Sequence, residues 1–533
     1  MSGLQVLTRP LGGGSLARDA VERRVRADWY RDRPQTAEEW RAYAHDVRAG
    51  FADVDWLTAM GPAFELSGPA AERLERSAAG AGIVITTGQQ PGLFGGPIYT
   101  WSKALSALAV ADELEALTGI PVAPVFWAAT DDADFAEASV THVAVPGGVE
   151  TLIEPAPPVS GASMRDTPLG DVTSLMPRLQ LGAGSAADAE IWRIARRAYA
   201  PTETVGSAYV RLLRALLQPL GIAVLDAGHP AVGRAARPLL RQALQRCRDV
   251  DAAVRERFVS IRDVGYTPQV AHVPGLSLVH ETVRGARRRV SLDAAPALAA
   301  DTHEHLGPNV LLRPVVERAI LPTAAYVAGP GELAYFAQVS AVAEALESPT
   351  PLALPRWSGL ILEPHIERIL QRHSLSIDEL RDPHATETRL AREQLPPALR
   401  TVLAEWRVRV EHSIRDLRHA LESAPEAPLL SERVIDGVSR DMGRKLDRLE
   451  RRAVAAIKRR EGELLRDVAT ARGALWPLGK PQERVLNMLP LLARHGPRLL
   501  ELMLDQARAH AATLTSARAD DAMAVHDHVD GGR

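Results

Sequence analysis

A glycine-rich segment, TTGQQPGLFGGPIYTWSK at residues 86–103, has the clearest pattern for chemistry in this chain. Its four glycines stand between a β-branched run and the start of a helical pattern. Helix N-terminal amides at the carboxyl end of a parallel strand favour anions. Gln89 and Gln90 add amide donors and acceptors, and Lys103 lies in the first turns of the helix. The segment predicts an anion-binding loop. The alternative is a purely structural turn, since neither GxGxxG nor a Walker sequence is present.

A second candidate is the acidic segment TDDADF at residues 130–135, directly after another predicted strand. Asp131, Asp132 and Asp134 would crowd three carboxylates at one strand end. Such crowding raises some carboxyl pKa values or recruits a cation such as Mg²⁺. The equally weighted alternative is a helix N-cap cluster, because aspartate favours the first helical turn.

Two further loops follow predicted strands. In AGPGELAYFAQ (328–338), Gly329 and Gly331 allow a ligand to approach the backbone, and Glu332 and Tyr335 lie one helical turn apart. In PLALPRW (351–357), Arg356 is a candidate anion clamp. Because the carboxyl ends of parallel strands meet at one sheet edge, the four loops predict a single cleft.

The elements that must position these loops alternate between strands and helices. A strand at 83–88, a helix at 101–119 and a strand at 121–129 form a right-handed βαβ unit, which predicts an α/β body with a parallel sheet. Helices are predicted over 206–219 and 230–261. The other predicted strands are 222–226, 269–273, 288–292, 323–329 and 351–355.

Strand patterns stop after about residue 365, and two apolar helical stripes follow. Leu403, Trp406 and Leu417 mark the first, and Ile435 and Met442 the second, with a proline-bearing break at 424–431 between them. This predicts a long antiparallel helical hairpin. The expected divisions are a helical lead-in (1–80), an α/β core (81–365), a helical arm (366–480), a helix returning to the core (481–513) and a disordered tail (514–533).

Bulk composition excludes several classes of function. The chain has 63 basic and 66 acidic residues, so no broad field attracts nucleic acid. The single cysteine, Cys247, cannot form an internal disulfide or a structural zinc site, and no zinc-binding, GxSxG or HExxH pattern is present. No signal core or membrane span is visible, which favours a cytoplasmic protein. We expect no resident metal.

The motifs above, with GPNVLLRPVVERAILPTAAYVAGPGELAYFAQ, PLALPRWS and GKPQERVLNM, resemble in order and spacing the family of cysteine ligases of bacillithiol biosynthesis. The resemblance covers most of the chain. It implies a Rossmann-like core, similar to class I synthetases and nucleotidylyltransferases, with a long antiparallel coiled-coil arm that supports a homodimer. It also implies the joining of L-cysteine to malyl-glucosamine. ATP or ADP with Mg²⁺ enters by analogy, because no residue pattern identifies the energy donor.

The resemblance also assigns site residues. Asp132 and Asp134 match the family's Glu-Asp-His-Asp stretch, where this chain has Asp131 for the glutamate and Ala133 for the histidine. We expect catalytic roles for Asp132, Asp134, Glu332 and Lys103, and substrate contacts from Gly329, Gly331, Tyr335 and Arg356. The matches in the glycine-rich segment are Gly88, Gln89, Gln90, Gly96, Pro97, Tyr99 and Lys103.

Two other functions stay open. One is a nucleotide- or sugar-dependent transferase that uses the same cleft, and the other is a non-catalytic scaffold that recruits enzymes through its helical arm. The four convergent loops favour an enzyme.

Overall fold

A computed structural model describes residues 3–51, 53, 55–154, 160–184, 189–300, 305–423 and 430–516. Most of the predicted tail, and most of the break predicted at 424–431, lie outside these ranges. The chain divides into two compact units. The helical unit comprises Met1–Gly3, Ala144–Val149 and Glu363–Pro481, and the α/β unit comprises Leu4–Val143, Glu150–Leu362 and Gln482–Arg533.

The described residues form short strands and many helices. The strands are β1 (Gln5–Thr8), β2 (Ile83–Gln89), β3 (Val122–Ala128), β4 (Val140–Val145), β5 (Gly148–Ile153), β6 (Ala223–Asp226), β7 (Leu276–Val283), β8 (Ala286–Ser291), β9 (Leu306–Pro308), β10 (Thr323–Ala328), β11 (Ala353–Pro355) and β12 (Gly359–Leu362). The helices are α1 (Ser15–Val21), α2 (Ala37–Ala49), α3 (Trp56–Phe64), α4 (Gly68–Ala79), α5 (Ile98–Thr118), α6 (Phe135–Ala138), α7 (Leu175–Leu181), α8 (Ala189–Ala198), α9 (Val205–Leu217), α10 (Pro230–Gln245), α11 (Cys247–Asp263), α12 (Ala295–Ala300), α13 (Arg313–Ile320), α14 (Pro330–Ala345), α15 (Pro364–Arg372), α16 (Pro383–Glu393), α17 (Pro397–Glu422), α18 (Glu432–Arg460), α19 (Gly462–Leu475), α20 (Leu489–His495) and α21 (Pro497–Thr515).

A five-stranded parallel sheet forms the centre of the α/β unit, in the order β11-β10-β2-β3-β6. The first of these five strands along the chain, β2, lies in the middle of the sheet, and later strands add on either side of it. This is the Rossmann order, with its topological switch point between β2 and β10. Ligands bind in such sheets outside the carboxyl ends of the strands at this point.

Burial on both faces explains why β2 and β3 have continuous apolar runs instead of an alternating pattern. Helix α5, which connects them, is apolar on nearly all sides because it packs on the sheet and on the C-terminal helix α21. Residues 482–516 thus return to the α/β unit. The structure confirms the predicted α/β class with a parallel sheet.

Two expectations need correction, and one confirmed strand lies outside the central sheet. The segment 269–273 is not a strand, because the buried side-chain amide of Gln338 hydrogen-bonds both the N–H and the C=O of Val270 in place of a neighbouring strand. The strand expected at 288–292 exists as β8, but it belongs to a separate antiparallel sheet, β8-β7-β9. The lead-in, predicted to be helical, includes β1, which pairs antiparallel with β12.

The helical unit contains α15 to α19. Helices α17 and α18 are antiparallel, as the ion pairs Arg407–Asp447 and Arg418–Asp436 show. The predicted seam is only partly covered: Ile435 is buried, whereas Trp406 is 49% exposed. None of the helices in the described part of the chain combines the length and apolar character needed to cross a bilayer.

Candidate functional site

A cavity of about 750 Å³ lies in the α/β unit at the topological switch point, and we call it the cleft. Its walls come from the loops after β2, β3, β10 and β11 and from the antiparallel sheet. The structure therefore brings the four predicted loops together. The predicted site residues on its walls are Gly88, Gln89, Gln90, Tyr99, Lys103, Asp132, Gly329, Gly331, Glu332, Tyr335 and Arg356.

The glycine-rich segment enters the cleft through Gly88 and two glutamines. A Cβ at Gly88 would lie 2.8 Å from the Trp127 carbonyl oxygen, so the close approach of β2 to β3 requires glycine there. The Gln89 amide donates to the Tyr99 hydroxyl at 2.9 Å. Glu137 accepts hydrogen bonds from Tyr99 and from Gln90. This network fixes the polar face that β2 presents to the cleft.

Gly96 and Pro97 do not reach the cleft wall. Gly96 has a φ of +74°, and Pro97 is the N-cap of α5. Their loop is held by the buried Asn487, whose side-chain amide donates to the carbonyls of Leu93, Phe94 and Gly96 at 3.2, 3.0 and 3.4 Å. These two positions, which the resemblance placed among the substrate contacts, shape the loop.

Lys103 and Glu332 form an ion pair across the switch point, with 2.6 Å between Nζ and Oε2. Lys103 also donates to the Gly88 carbonyl at 2.6 Å and to the Gln89 side-chain oxygen at 3.1 Å. Burial lowers the pKa of Lys103, although Glu332 opposes this shift. The ammonium group nevertheless has three acceptors, so it is fully engaged within the protein.

Glu332 is just as fully engaged. It accepts from the Gly329 N–H at 2.7 Å and from the Tyr326 hydroxyl at 2.5 Å, in addition to Lys103. Burial would raise the pKa of Glu332, but Lys103 and Arg313 outweigh burial and lower it. A carboxylate stabilised in this way is a weak proton acceptor, so the catalytic role expected for Glu332 does not extend to that of a general base.

Arg313, at the start of α13, holds the adjoining wall. It donates to the hydroxyls of Tyr335 at 2.8 Å and Tyr326 at 3.3 Å, and it pairs with Glu317 at 3.2 Å. Burial raises the pKa of Glu317 to about 7. Tyr335 therefore faces the cleft, as predicted, in an orientation that Arg313 determines.

The acidic segment divides between the cleft and a helix cap. Asp131 and Asp132 line the cleft, and Asp134 does not. The Asp134 side chain caps α6 by accepting from the Glu137 N–H, which is the alternative that the sequence left open. Asp132 accepts from the N–H groups of Ala133 and Asp134 at 2.6 and 3.1 Å, so it closes a tight turn.

Asp131 is the carboxylate with the most distinctive surroundings. Its side chain is 31% exposed, toward the cleft, and its nearest cation is Arg287 at 3.8 Å. Partial burial raises the pKa of Asp131, while Arg287 opposes the shift. The sequence placed Asp131 in the acidic segment, but not among the catalytic residues.

Arg356 lies at the cleft wall, but most of its guanidinium is already bound. Glu483 accepts two hydrogen bonds from it, at 2.8 and 2.5 Å, and the Trp357 carbonyl accepts a third at 2.7 Å. Both partners of the pair are at most 5% exposed. Only Nε lacks a partner among the described residues. The expected anion clamp is thus mainly a structural ion pair.

The cationic character of the cleft comes largely from residues without an assigned role in the sequence. Six cationic side chains and three carboxylates line its walls: Lys103, Arg287, Arg289, Arg313, Arg356 and Arg484, with Asp131, Asp132 and Glu332. Two further carboxylates outside the lining, Glu317 and Glu483, pair with Arg313 and Arg356. Arg313 and Arg484 lie inside the GPNVLLRP and GKPQER motifs, so these motifs could have pointed to both residues as candidate site residues. Which of the chain's many arginines meet at the cleft depends on tertiary structure.

Comparisons with known proteins agree with this architecture. Residues 20–357 match the family described as "Bacillithiol biosynthesis BshC, N-terminal Rossmann-like domain", and residues 359–515 match its "C-terminal coiled-coil domain". A relative from Solibacter usitatus is 31% identical over 494 residues, which cover 88% of this chain and 90% of the relative. One from Heliobacterium modesticaldum is 31% identical over 490 residues, covering 82% and 84%. Both relatives are named "Putative cysteine ligase BshC".

The fold and the cleft define a two-part protein, a Rossmann-like domain with a ligand cavity at its switch point and a coiled-coil domain. Both parts match models of the same family, and relatives of that family are about 30% identical across most of the chain. The chain belongs to the BshC family of bacillithiol biosynthesis.

Proposed function

We propose that this protein is a ligase that joins the carboxyl group of L-cysteine to the amine of malyl-glucosamine, the last step of bacillithiol synthesis. Its relatives are named as cysteine ligases. The observation that carries the proposal is the cleft, which combines excess positive charge with Asp131, a carboxylate of raised pKa. Amide formation needs both an anion-binding surface and a proton acceptor.

The excess of cations also supports ATP as the energy donor, because carboxyl activation produces a phosphate-bearing leaving group. Arg484, an exposed lining residue of the cleft, would contact phosphate oxygens. No cluster of three potential metal ligands exists among the described residues. A magnesium ion would therefore depend on the phosphates, with one or two carboxylates such as Asp131 and Asp132.

In this reaction the sugar amine attacks the activated cysteine carbonyl carbon. The new C–N bond forms, the C–O bond to the leaving group breaks, and the amine loses one proton. We assign the proton to Asp131, because Glu332 is already saturated with hydrogen bonds and Asp132 closes a turn. Lys103 and Glu332 then position Gln89 and Gly329 and transfer no proton.

The test is to incubate purified protein with malyl-glucosamine, cysteine and ATP, and to measure the thiol product together with AMP or ADP. Asp131→Asn should lower kcat by about 100-fold or more, the usual contribution of a general base. Asp134→Asn is the matched control, because Asp134 caps α6 outside the cleft. Absence of product in every mixture would refute the ligase. Full activity of Asp131→Asn would refute only the assignment of the base.

We further propose that a second copy of the chain covers the coiled-coil arm. Exposed apolar side chains on α17 and α18, including Trp406, Val438, Met442 and Leu449, give these helices an uncovered apolar surface. Light scattering should report twice the chain mass for the full-length protein, and the mass of one chain for Met442→Glu. A single-chain mass for the unmodified protein would contradict the dimer.

A further inference from the structure

A second cavity, of about 370 Å³, adjoins the cleft within the α/β unit. It opens beyond the carboxyl ends of β3 and β6, beside the start of α10. The two cavities share a wall that contains Trp127, Asp131, His280, Arg287 and Pro308. Asp131 therefore lies at the edge of both cavities, and a ligand bound in the second cavity can place an atom beside it.

The second cavity is lined by four arginines and only two carboxylates, and we call it the arginine pocket. The arginines are Arg165, Arg234, Arg237 and Arg287, and the carboxylates are Asp131 and Asp166. A guanidinium group binds a carboxylate or phosphate through paired N–H groups, whereas it offers nothing to an apolar ligand. The lining therefore selects an anion.

Two of the arginines are held in place by protein groups. Arg165 donates to Asp226 at 2.7 Å, and Asp226 is fixed in turn by Thr130 and by the Gly228 N–H. Arg287 donates to the backbone carbonyls of Asp131 and Pro308. These contacts orient the two guanidinium groups before a ligand arrives. Asp226 balances the charge of Arg165, and Asp131, 3.8 Å from Arg287, balances part of the charge of that guanidinium.

Arg234 differs from these two, because it makes no hydrogen bond or ion pair with any residue in the described ranges. It lies in the first turns of α10 at the rim of the pocket, where the helix dipole adds positive potential. The helix amides themselves cannot bind the ligand, since His229 already accepts the first two of them. The arginine side chains must supply the contacts.

Two imidazoles on the lining, those of His229 and His280, have lowered pKa values. Burial, with Arg287 and Arg289, lowers the pKa of His280 to about 4, and burial with Arg165 also lowers the pKa of His229. Both imidazoles are therefore neutral at pH 7, and they do not repel a bound cation or attract a bound anion. The charge that attracts a ligand stays on the arginines.

We infer that the arginine pocket binds the two carboxylates of the malyl group, and that this placement brings the acceptor amine to the shared wall beside Asp131. The inference rests on the proposed function for the identity of the acceptor. A nucleotide phosphate has the same dianionic chemistry, so the test must separate the two sources. The malyl group is favoured because the pocket adjoins the carboxylate assigned to receive the amine proton.

The experiment compares wild-type protein with Arg234→Gln, Arg234→Lys and a matched control, Arg498→Gln. Arg498 is 64% exposed and pairs with Glu501 on the surface of the same unit. Binding of L-malate and of ATP is measured separately by calorimetry, without turnover. Loss of one charge-assisted contact should weaken L-malate binding about tenfold in Arg234→Gln. Arg234→Lys should recover part of this loss, and ATP affinity should stay within about twofold.

Steady-state kinetics provide the second measurement. The KM for malyl-glucosamine should rise about tenfold in Arg234→Gln, and the KM for cysteine should stay unchanged. The KM for glucosamine, an acceptor that lacks the malyl group, should also stay unchanged. Weaker ATP binding with unchanged malate binding would overturn the inference and assign the pocket to phosphate. Unchanged binding of both ligands would overturn it as well. If turnover is absent but Arg234→Gln still weakens malate binding, the proposed function fails while the pocket assignment stands.

Discussion

The buried pair between Arg356 and Glu483 is the most direct test of how this site is built. Replacing Glu483 with Gln keeps the side-chain shape and leaves an oxygen for the Ser358 hydroxyl, which donates to Glu483 at 2.9 Å. Among the residues that the structure describes, it removes the one carboxylate paired with this guanidinium, whose side chain is 2% exposed. Removing one partner of a buried pair costs about 3–5 kcal/mol, so we expect the unfolding free energy of the α/β unit to fall by that amount.

The double variant Arg356→Met with Glu483→Gln should recover about 2–4 kcal/mol relative to the sum of the single changes, because no uncompensated charge stays buried. A surface pair provides the control. Arg508 and Asp112 are 54% and 32% exposed, and Arg508→Met should cost less than about 1 kcal/mol.

Urea titration followed by tryptophan fluorescence measures these free energies. Trp406 and Trp476 lie in the helical unit, so both are replaced by Phe in every protein and the signal then reports only the α/β unit. A cost below about 1 kcal/mol for Glu483→Gln would refute the description of this pair as structural. If the double variant is fully stable but binds ATP much more weakly, Arg356 acts as an anion clamp and not as a structural ion pair.

Two further predictions concern the glycine loop and the shared wall. Asn487→Ala should lower the free energy of unfolding by about 2–4 kcal/mol, because it leaves the loop carbonyls buried without a donor. Faster hydrogen exchange at the Gly95 amide would report the loosened loop. A loss below about 1 kcal/mol would contradict the role of Asn487 in holding the loop. His280 stays neutral in the folded protein down to about pH 4, whereas the same imidazole in the unfolded chain takes up a proton near pH 6.5. The free energy of unfolding therefore falls by up to about 3 kcal/mol as the pH drops from 6.5 to 4. His280→Gln should flatten the dependence of unfolding free energy on pH between 6.5 and 4, and an unchanged slope would contradict this account.

The sequence contained enough local information to predict the central strands. The short runs of small and apolar residues in β2 and β10 lead into Gly88 and Gly329, and each is followed by a helical pattern, so both strand type and loop position follow from neighbouring residues. The meeting of their loops then follows from the geometry of parallel sheets. For the same reason, Gly88, Gln89 and Glu332 could be predicted to lie near one another.

Contacts between distant segments could not be predicted in this way. The amide of Asn487 holds a loop 391 to 394 residues earlier, and Gln338 replaces a strand partner for Val270. Neither contact leaves a periodic pattern, because each depends on one buried side chain. Similarly, Arg356 had the residue type of an anion clamp, and only the position of Glu483 shows that its charge is already compensated.

The ion pair between Lys103 and Glu332 determines where an anionic ligand can bind in the cleft. The ammonium group of Lys103 already has three acceptors within the protein. A ligand anion that bound Lys103 would have to displace Glu332 and leave that carboxylate buried among tyrosines. Breaking a buried pair costs several kcal/mol, which a new contact to Lys103 would at best return. Arg484 and Arg234 carry no such cost, because each is exposed and makes no ion pair with any described residue. We therefore expect anions to bind beside Arg484 in the cleft and beside Arg234 in the arginine pocket, with Asp131 on the wall that the two cavities share.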